Sequence, residues 1–189
     1  MVYYVIRDII KDIGNSFFSI IADEYTDISN REQLTLCVRW IDQVLNAHEN
    51  FLGFYNIPNI NSITIAYLIK DALLRLQLSL DNCKGQCYDG ANNMVGHLSG
   101  VAKLIKDAFR VILEENATNI HTFGDILKSV KKVPSSKLHL IPDVMQIIRL
   151  ILVSPATCAT GERTFTLARG LKTWLRATMC QERFNSLAI

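Results

Sequence analysis

The stretch FFSIIADEYTD, residues 17–27, decides how the rest of the chain reads. Phe17 to Ala22 is an apolar run closed by charge, the pattern of a strand buried on both faces, and it delivers Asp23 near its carboxyl end. Glu24 and Asp27 stand beside it as competing acids. Downstream, EQLTLCVRWID (32–42) alternates, with Leu34, Leu36, Val38 and Trp40 on one face and Thr35, Cys37 and Arg39 on the other. That spacing predicts a half-exposed strand. A polar turn region over 42–50 leads into ENFLGFYNIP (49–58), a third strand that Pro58 stops. Three strands joined by short links predict an antiparallel meander.

Beyond it, Ser62 offers a helix N-cap, and Ile65, Leu68, Ile69, Ala72, Leu73 and Leu76 recur at the spacing of one helical face. NCKGQCYD (82–89) then predicts a short strand ended at Asp89 by Gly90. Meander, crossover helix and fourth strand together give a mixed α/β fold with an RNase H-like βββαβ core, in which the fourth strand lies parallel beside the first. Asp23 and Asp89 would then face each other within bridging range of one cation.

The remainder is predicted to be helical. A helix is expected over Val101 to Leu113, a linker over 114–136 with a short helix near Ile126, and a buried helix or strand in DVMQIIRLILV (143–153). Ser154 and Pro155 can open another helix as cap and first position, aligning Phe165, Ala168, Leu171 and Leu175. A last helix is expected near Thr178, with Gln181 as a capping-box partner. The domain reading is a partial core over 1–113, the linker over 114–136, and a carboxyl-terminal helical region over 137–189.

Composition narrows the class. With 189 residues, 49% apolar and 20% charged, the chain is globular and long enough to bury about 70% of its extended surface. No apolar run reaches the ~18 residues of a membrane span, so a membrane protein and a secretory signal are not expected. Five cysteines at irregular positions argue for a reducing, intracellular setting rather than a disulfide scaffold. Cys83, Cys87 and His97 are a weak zinc pattern, because no second cysteine pair accompanies them. Net charge is +2 but uneven: residues 1–60 hold four basic and eight acidic side chains, residues 162–189 five basic and two acidic. A basic end can contact nucleic acid or an acidic partner, through Arg163, Arg169, Lys172 and Arg176. No GxSxG, P-loop or HExxH is present.

Three settings carry the chemistry: Asp23 in FFSIIADEYTD, Asp89 in CYDGANNM and Glu162 in SPATCATGERTF. Clustered carboxylates repel by roughly 4 kcal/mol at 4 Å and an effective dielectric near 20, so they call for a cation such as Mg2+ or Mn2+. These stretches, with the blocks ERTF, LKTWLR and TMCQER, resemble the hAT superfamily of DNA transposases and the proteins domesticated from them, most closely the zinc finger MYM-type and transposase-like group. The resemblance runs over Asp12 to Ala108 and Asp143 to Ile189. It implies that Asp23, Asp89 and Glu162 descend from the catalytic, metal-binding acids of DNA strand cleavage and joining. It implies too that the carboxyl-terminal region dimerises, with Phe165, Leu171, Trp174 and Phe184 as interface candidates, as a homodimer or a heterodimer with related transposase-like proteins, in the nucleus or cytoplasm.

The departures from that family shape the functional expectation. The family places a large helical insertion between its second and third acids and a zinc-binding DNA-recognition domain ahead of the core, whereas residues 90–161 leave only 72 positions between Asp89 and Glu162. The chain reads as the two ends of a transposase core joined by an internal deletion or splice, with the insertion missing. Gly161 stands where the family often has alanine, a change that loosens a helix by up to about 1 kcal/mol. The expected function is a non-catalytic, transposase-derived dimerisation module with weak DNA contact, and the alternative is a minimal metal-dependent nuclease or transposase using the Asp-Asp-Glu triad.

Overall fold

The computed structural model describes residues 2–58, 62–87, 122–134, 138, 142–155, 157, 159–171 and 179–189. In chain order these form α1 (Val2–Ile13), β1 (Phe18–Thr26), β2 (Glu32–Ile41), β3 (Ala47–Asn56), α2 (Ser62–Arg75), β4 (Cys83–Cys87), α3 (Phe123–Lys132), α4 (Pro142–Val153), α5 (Ala159–Leu171) and α6 (Gln181–Ala188). The sheet runs β3-β2-β1-β4. β1 and β2 pair antiparallel, as do β2 and β3, while β1 and β4 pair in parallel from Phe18↔Cys83 to Ile21↔Cys87. The mixed α/β architecture and the fourth strand beside the first are therefore as the sequence predicts. No helix of the described residues is long and apolar enough to cross a membrane.

Each face of the sheet has its own cover. Phe18, Ile20, Ala22, Leu34, Leu36, Val38, Trp40 and Leu52 form one apolar core with Ile13 of α1 and Ile69, Ala72 and Leu73 of α2. Burying such side chains is worth about 1.5–3 kcal/mol each. α1 is additional to the elements predicted above, although Ile6, Ile9, Ile10 and Ile13 recur at helical spacing. On the opposite face, Ile41 and Leu45 pack with Ile126 and Val130 of α3 and Ile148 and Val153 of α4. Phe54 packs there with Ala168 of α5 and Phe184 of α6. The expectation of a half-exposed β2 is thus corrected: Thr35 and Cys37 are fully buried beneath the later helices, and Arg39 partly so.

Two irregularities set which side chains share a face. β4 carries an extra residue at Lys84, since Phe18 pairs with Cys83 but Ser19 with Gly85. Cys83 therefore joins the α1–α2 core, whereas Cys87 packs with Ile21 and Cys37 on the other side. Two thiols on opposite faces do not share a zinc ion, and His97 lies outside the described residues. β3 bulges between its Gly53 and Phe51 pairings, with Gly53 at φ +151°, a conformation that glycine tolerates. The bulge turns both Phe51 and Phe54 toward α5 and α6.

Helix starts differ from expectation in two places. α5 opens at Ala159, not at Ser154 and Pro155; Thr157 accepts the Ala159 N–H, and Pro155 instead packs against β4 near Gly85. α6 opens at Gln181, whose side chain donates to Phe54 O at 2.8 Å and to Gln33 Oε1 at 3.0 Å rather than capping a helix from Thr178, which lies outside the described residues. Within the stretch expected to be a linker, α3 is fixed by a capping box of Thr122 and Asp125 and buries Ile126 and Val130.

The β2–β3 turn is organised by Asp42. Burial raises its pKa, but hydrogen bonds from the His48 ring, the Asn46 backbone and side chain, and the Val44 backbone outweigh that and bring it down to about 2 from 3.8. A carboxyl with a depressed folded-state pKa stabilises the fold above its unfolded value, and that contribution is lost as pH falls through the folded one. Wild type is therefore expected to be more stable than Asp42→Asn at pH 6, with the gap closing between about pH 4 and 2 in thermal melts followed by circular dichroism.

Candidate functional site

Asp23 lies inside β1, not at its end, because the β1–β2 ladder continues to Thr26↔Glu32 before the chain turns at Asp27. It is 8% exposed on the face beneath α5, and one carboxylate oxygen accepts the Glu24 N–H at 2.9 Å. Glu24 is exposed on the edge of that pattern. Asp27 serves the turn instead, since its carboxylate accepts the N–H groups of Ser29 and Arg31 and closes the β1–β2 connection.

α5 crosses directly over Asp23. A Cβ built on Gly161 would stand 3.1 Å from Asp23 Cβ and 3.6 Å from its Oδ2. Glycine at 161 is thus more than a weak helix former: it lets the helix backbone approach Asp23, and the next residue is Glu162. Glu162 is exposed in the first turn of α5, where a carboxylate complements the helix dipole. The structure brings Asp23 and the start of α5 together, while Asp89 lies outside the described residues. Register adds one fact about β4: Ile21 opposes Cys87, and Asp23 follows Ile21 by two residues as Asp89 follows Cys87. The donors at Asp23 and Glu162 are carboxylate oxygens, which suit Mg2+ or Mn2+. Among the described residues alone, no three His, Cys, Asp or Glu side chains gather as a cation site.

Several neighbours escaped the sequence reading. Glu49 of β3 reaches the start of α5, where it accepts the Thr160 hydroxyl, and it pairs with Arg39 at 2.6 Å. Only the β2–β3 register, which sets Arg39 opposite Glu49, would have flagged it. Burial, with a further push from Glu49, raises the Cys37 thiol to about 12, so this cysteine is an inert core residue. Tyr25 packs its ring on Phe165 at 4.8 Å and on Phe54 at 5.7 Å, and burial followed by the Asp27 charge pushes its phenol upward. A shallow cleft of about 250 Å³ opens beside it, lined by Tyr25, Asp27, Ala168 and Arg169 among others.

The interface candidates are used within the chain. Phe184 is fully buried and stacked on Phe54 at 4.7 Å. Phe165 leans on Tyr25, and Leu171 packs on the Phe54–Ala168–Phe184 cluster. Phe184 is thus committed to the core of the chain, whereas Phe165 and Leu171 are half-buried; Trp174 lies outside the described residues. Of the four basic candidates, Arg163 and Arg169 are exposed on α5, while Lys172 and Arg176 lie outside the described residues. What α4, α5 and α6 leave open to solvent is one large apolar residue each: Ile147, Leu167 and Leu187.

Comparison with known proteins finds a family model, DUF4371, described as the ZMYM1/FAM200 RNase-like domain, over residues 2–100, just over half of the chain. That match contains Asp23 and Asp89 and ends before Glu162. The mouse and human proteins named 52 kDa repressor of the inhibitor of the protein kinase are each 26% identical to the chain over 104 residues. The aligned region is 54% of this chain and 14% of each relative, so the chain spans about one seventh of their length. No solved structure gives a significant match.

Proposed function

Because the chain belongs to the ZMYM1/FAM200 RNase-like domain family, we propose that it is a transposase-derived module of hAT descent that acts by protein dimerisation and has no strand-transfer activity. The observation that carries this reading is the covered position of Asp23. Two-metal phosphoryl transfer needs carboxylates that stay open to cation and DNA together, and here the backbone of α5 at Gly161 lies over Asp23, which is 8% exposed. Dimerisation is supported by Leu167 and Leu187, which stand 45% and 46% exposed on the touching helices α5 and α6. The partner is a second copy or a related transposase-like chain, in the nucleus or the cytoplasm. Exposed Arg163 and Arg169 supply weak, sequence-independent DNA contact.

Light scattering on the purified chain tests this directly. A dimer at tens of micromolar is expected, converted to monomer by the double substitution Leu167→Glu with Leu187→Glu at unchanged circular dichroism. A wild type that stays monomeric at that concentration sinks the dimer reading.

A second reading, a residual metal-dependent nuclease, is favoured by the parallel β1–β4 register, in which Ile21 opposes Cys87 two residues ahead of Asp23 and of Asp89 respectively. Asp23 and Glu162, with Asp89, would hold Mg2+ or Mn2+, which supplies charge neutralisation at a phosphodiester. Supercoiled DNA is expected to remain uncut with either cation. Nicking that disappears in both Asp23→Asn and Glu162→Gln would replace the first reading with this one.

A further inference from the structure

Arg39 of β2 and Glu49 of β3 are register partners on the face beneath the carboxyl-terminal helices, and neither is one of the three acids. Their side chains are 22% and 24% exposed and meet at 2.6 Å. Arg39 Nε also donates to Leu152 O at 2.8 Å, a carbonyl in the last turn of α4. Such carbonyls have no partner within their own helix. Glu49 Oε2 accepts the hydroxyl of Thr160, the second residue of α5. Arg163 Nη2 donates to that same hydroxyl at 2.9 Å and lies 3.9 Å from Glu49 Oε2. The cation of the pair thus sits at the negative end of one helix and the anion at the positive end of the next. One residue beyond Thr160 comes Gly161 over Asp23, and then Glu162.

The geometry points to a positioning role for the Arg39–Glu49 pair: it sets the start of α5, and with it Glu162, beside Asp23. This role rests on the reading of Asp23 and Glu162 as one ancestral acidic site. It differs from an ordinary cross-strand salt bridge in having a required polarity. An ordinary pair works in either orientation. This one does not, because exchanging the charges would turn a carboxylate toward the α4 carbonyls and a guanidinium toward the α5 amides.

Hydrogen–deuterium exchange of the full chain tests the role, with urea unfolding as the control for global stability. Glu49→Gln is expected to speed exchange of the α5 amides over residues 163–168 by about five- to thirtyfold, as the loss of a charge at a helix end predicts, while amides of β1 and β2 keep their wild-type rates. Arg39→Glu combined with Glu49→Arg is expected to remain fast. Wild-type exchange in that double variant, or in Glu49→Gln, would overturn the proposal; if the charge-exchanged chain does not fold, Glu49→Gln decides alone. A titration with Mn2+ alone, followed by electron paramagnetic resonance, separates this role from the reading beneath it. Binding weakened at least about tenfold by Glu49→Gln supports positioning of Glu162. Unchanged Mn2+ binding beside faster α5 exchange would refute it. A wild type that binds no Mn2+ would refute the acidic-site reading instead, leaving the exchange rates to decide whether the pair sets α5.

Discussion

Phe184→Ala is expected to destabilise the monomer by about 3–5 kcal/mol, lowering the melting temperature by roughly 6–20 °C for a chain of this size. Phe184 is fully buried, its ring lies 4.7 Å from Phe54 in a stacked arrangement, and Phe54 in turn contacts Tyr25 and Phe51. Truncation leaves a cavity lined by aromatic rings that the bulge at Gly53 holds in place. It also loosens α6, whose Asn185 side chain accepts from Phe54 N–H and donates to Phe54 O, both at 2.9 Å. Those two bonds close the outer edge of β3, so the loss of α6 would expose unpaired strand groups as well as apolar surface. The measurement separates two uses of the residue. A core role gives a fall in melting temperature that is independent of protein concentration. A seam role predicts a monomer as stable as wild type that has lost self-association, and that result would refute the assignment of Phe184 to the core.

What the sequence made legible was what local periodicity controls. The alternation of β2, the helical face of α2 and the acid-ended run of β1 each lie within one element, and together they imply the sheet order and the parallel β1–β4 pair. The burial of Thr35 and Cys37 was not legible, because their cover comes from helices more than 100 residues downstream. Bulges hid a second layer. Cys83 and Cys87 have the spacing of a shared face, and Phe51 and Phe54 the spacing of opposite faces; one extra residue in each strand reverses both. At the site, the residue types of Asp23 and Glu162 were readable, but the approach of α5 to Asp23 depends on Gly161, whose lack of a side chain reads locally only as poor helix propensity. The Arg39–Glu49 pair needed the β2–β3 register before it carried any meaning.

The same dependence on close approach makes Gly85→Val the other large expected effect. A Cβ at position 85 would fall 2.6 Å from Ser19 Oγ and 3.3 Å from Pro155 Cδ. Real Cβ atoms do not tolerate the first distance, so Ser19 must move, yet Ser19 is fully buried in β1. Pro155, also buried, belongs to the link between α4 and α5 and has a rigid ring. The added methyl groups therefore push either β4 away from β1 or the α4–α5 link away from the sheet. A cost of about 3 kcal/mol is expected, the upper part of the usual range for over-packing. Ser19 Oγ has no hydrogen-bond partner among the described residues, so Ser19→Ala alone should be neutral or slightly stabilising. Combined with Gly85→Val it should recover roughly 1 kcal/mol by removing the nearer of the two obstacles, a coupling of the size found for residues in contact. Urea unfolding of the two single variants and the double variant measures that coupling. Strict additivity would mean that Ser19 is not what Gly85 makes room for, and would leave Pro155 and the α4–α5 link as the reason β4 carries a glycine there.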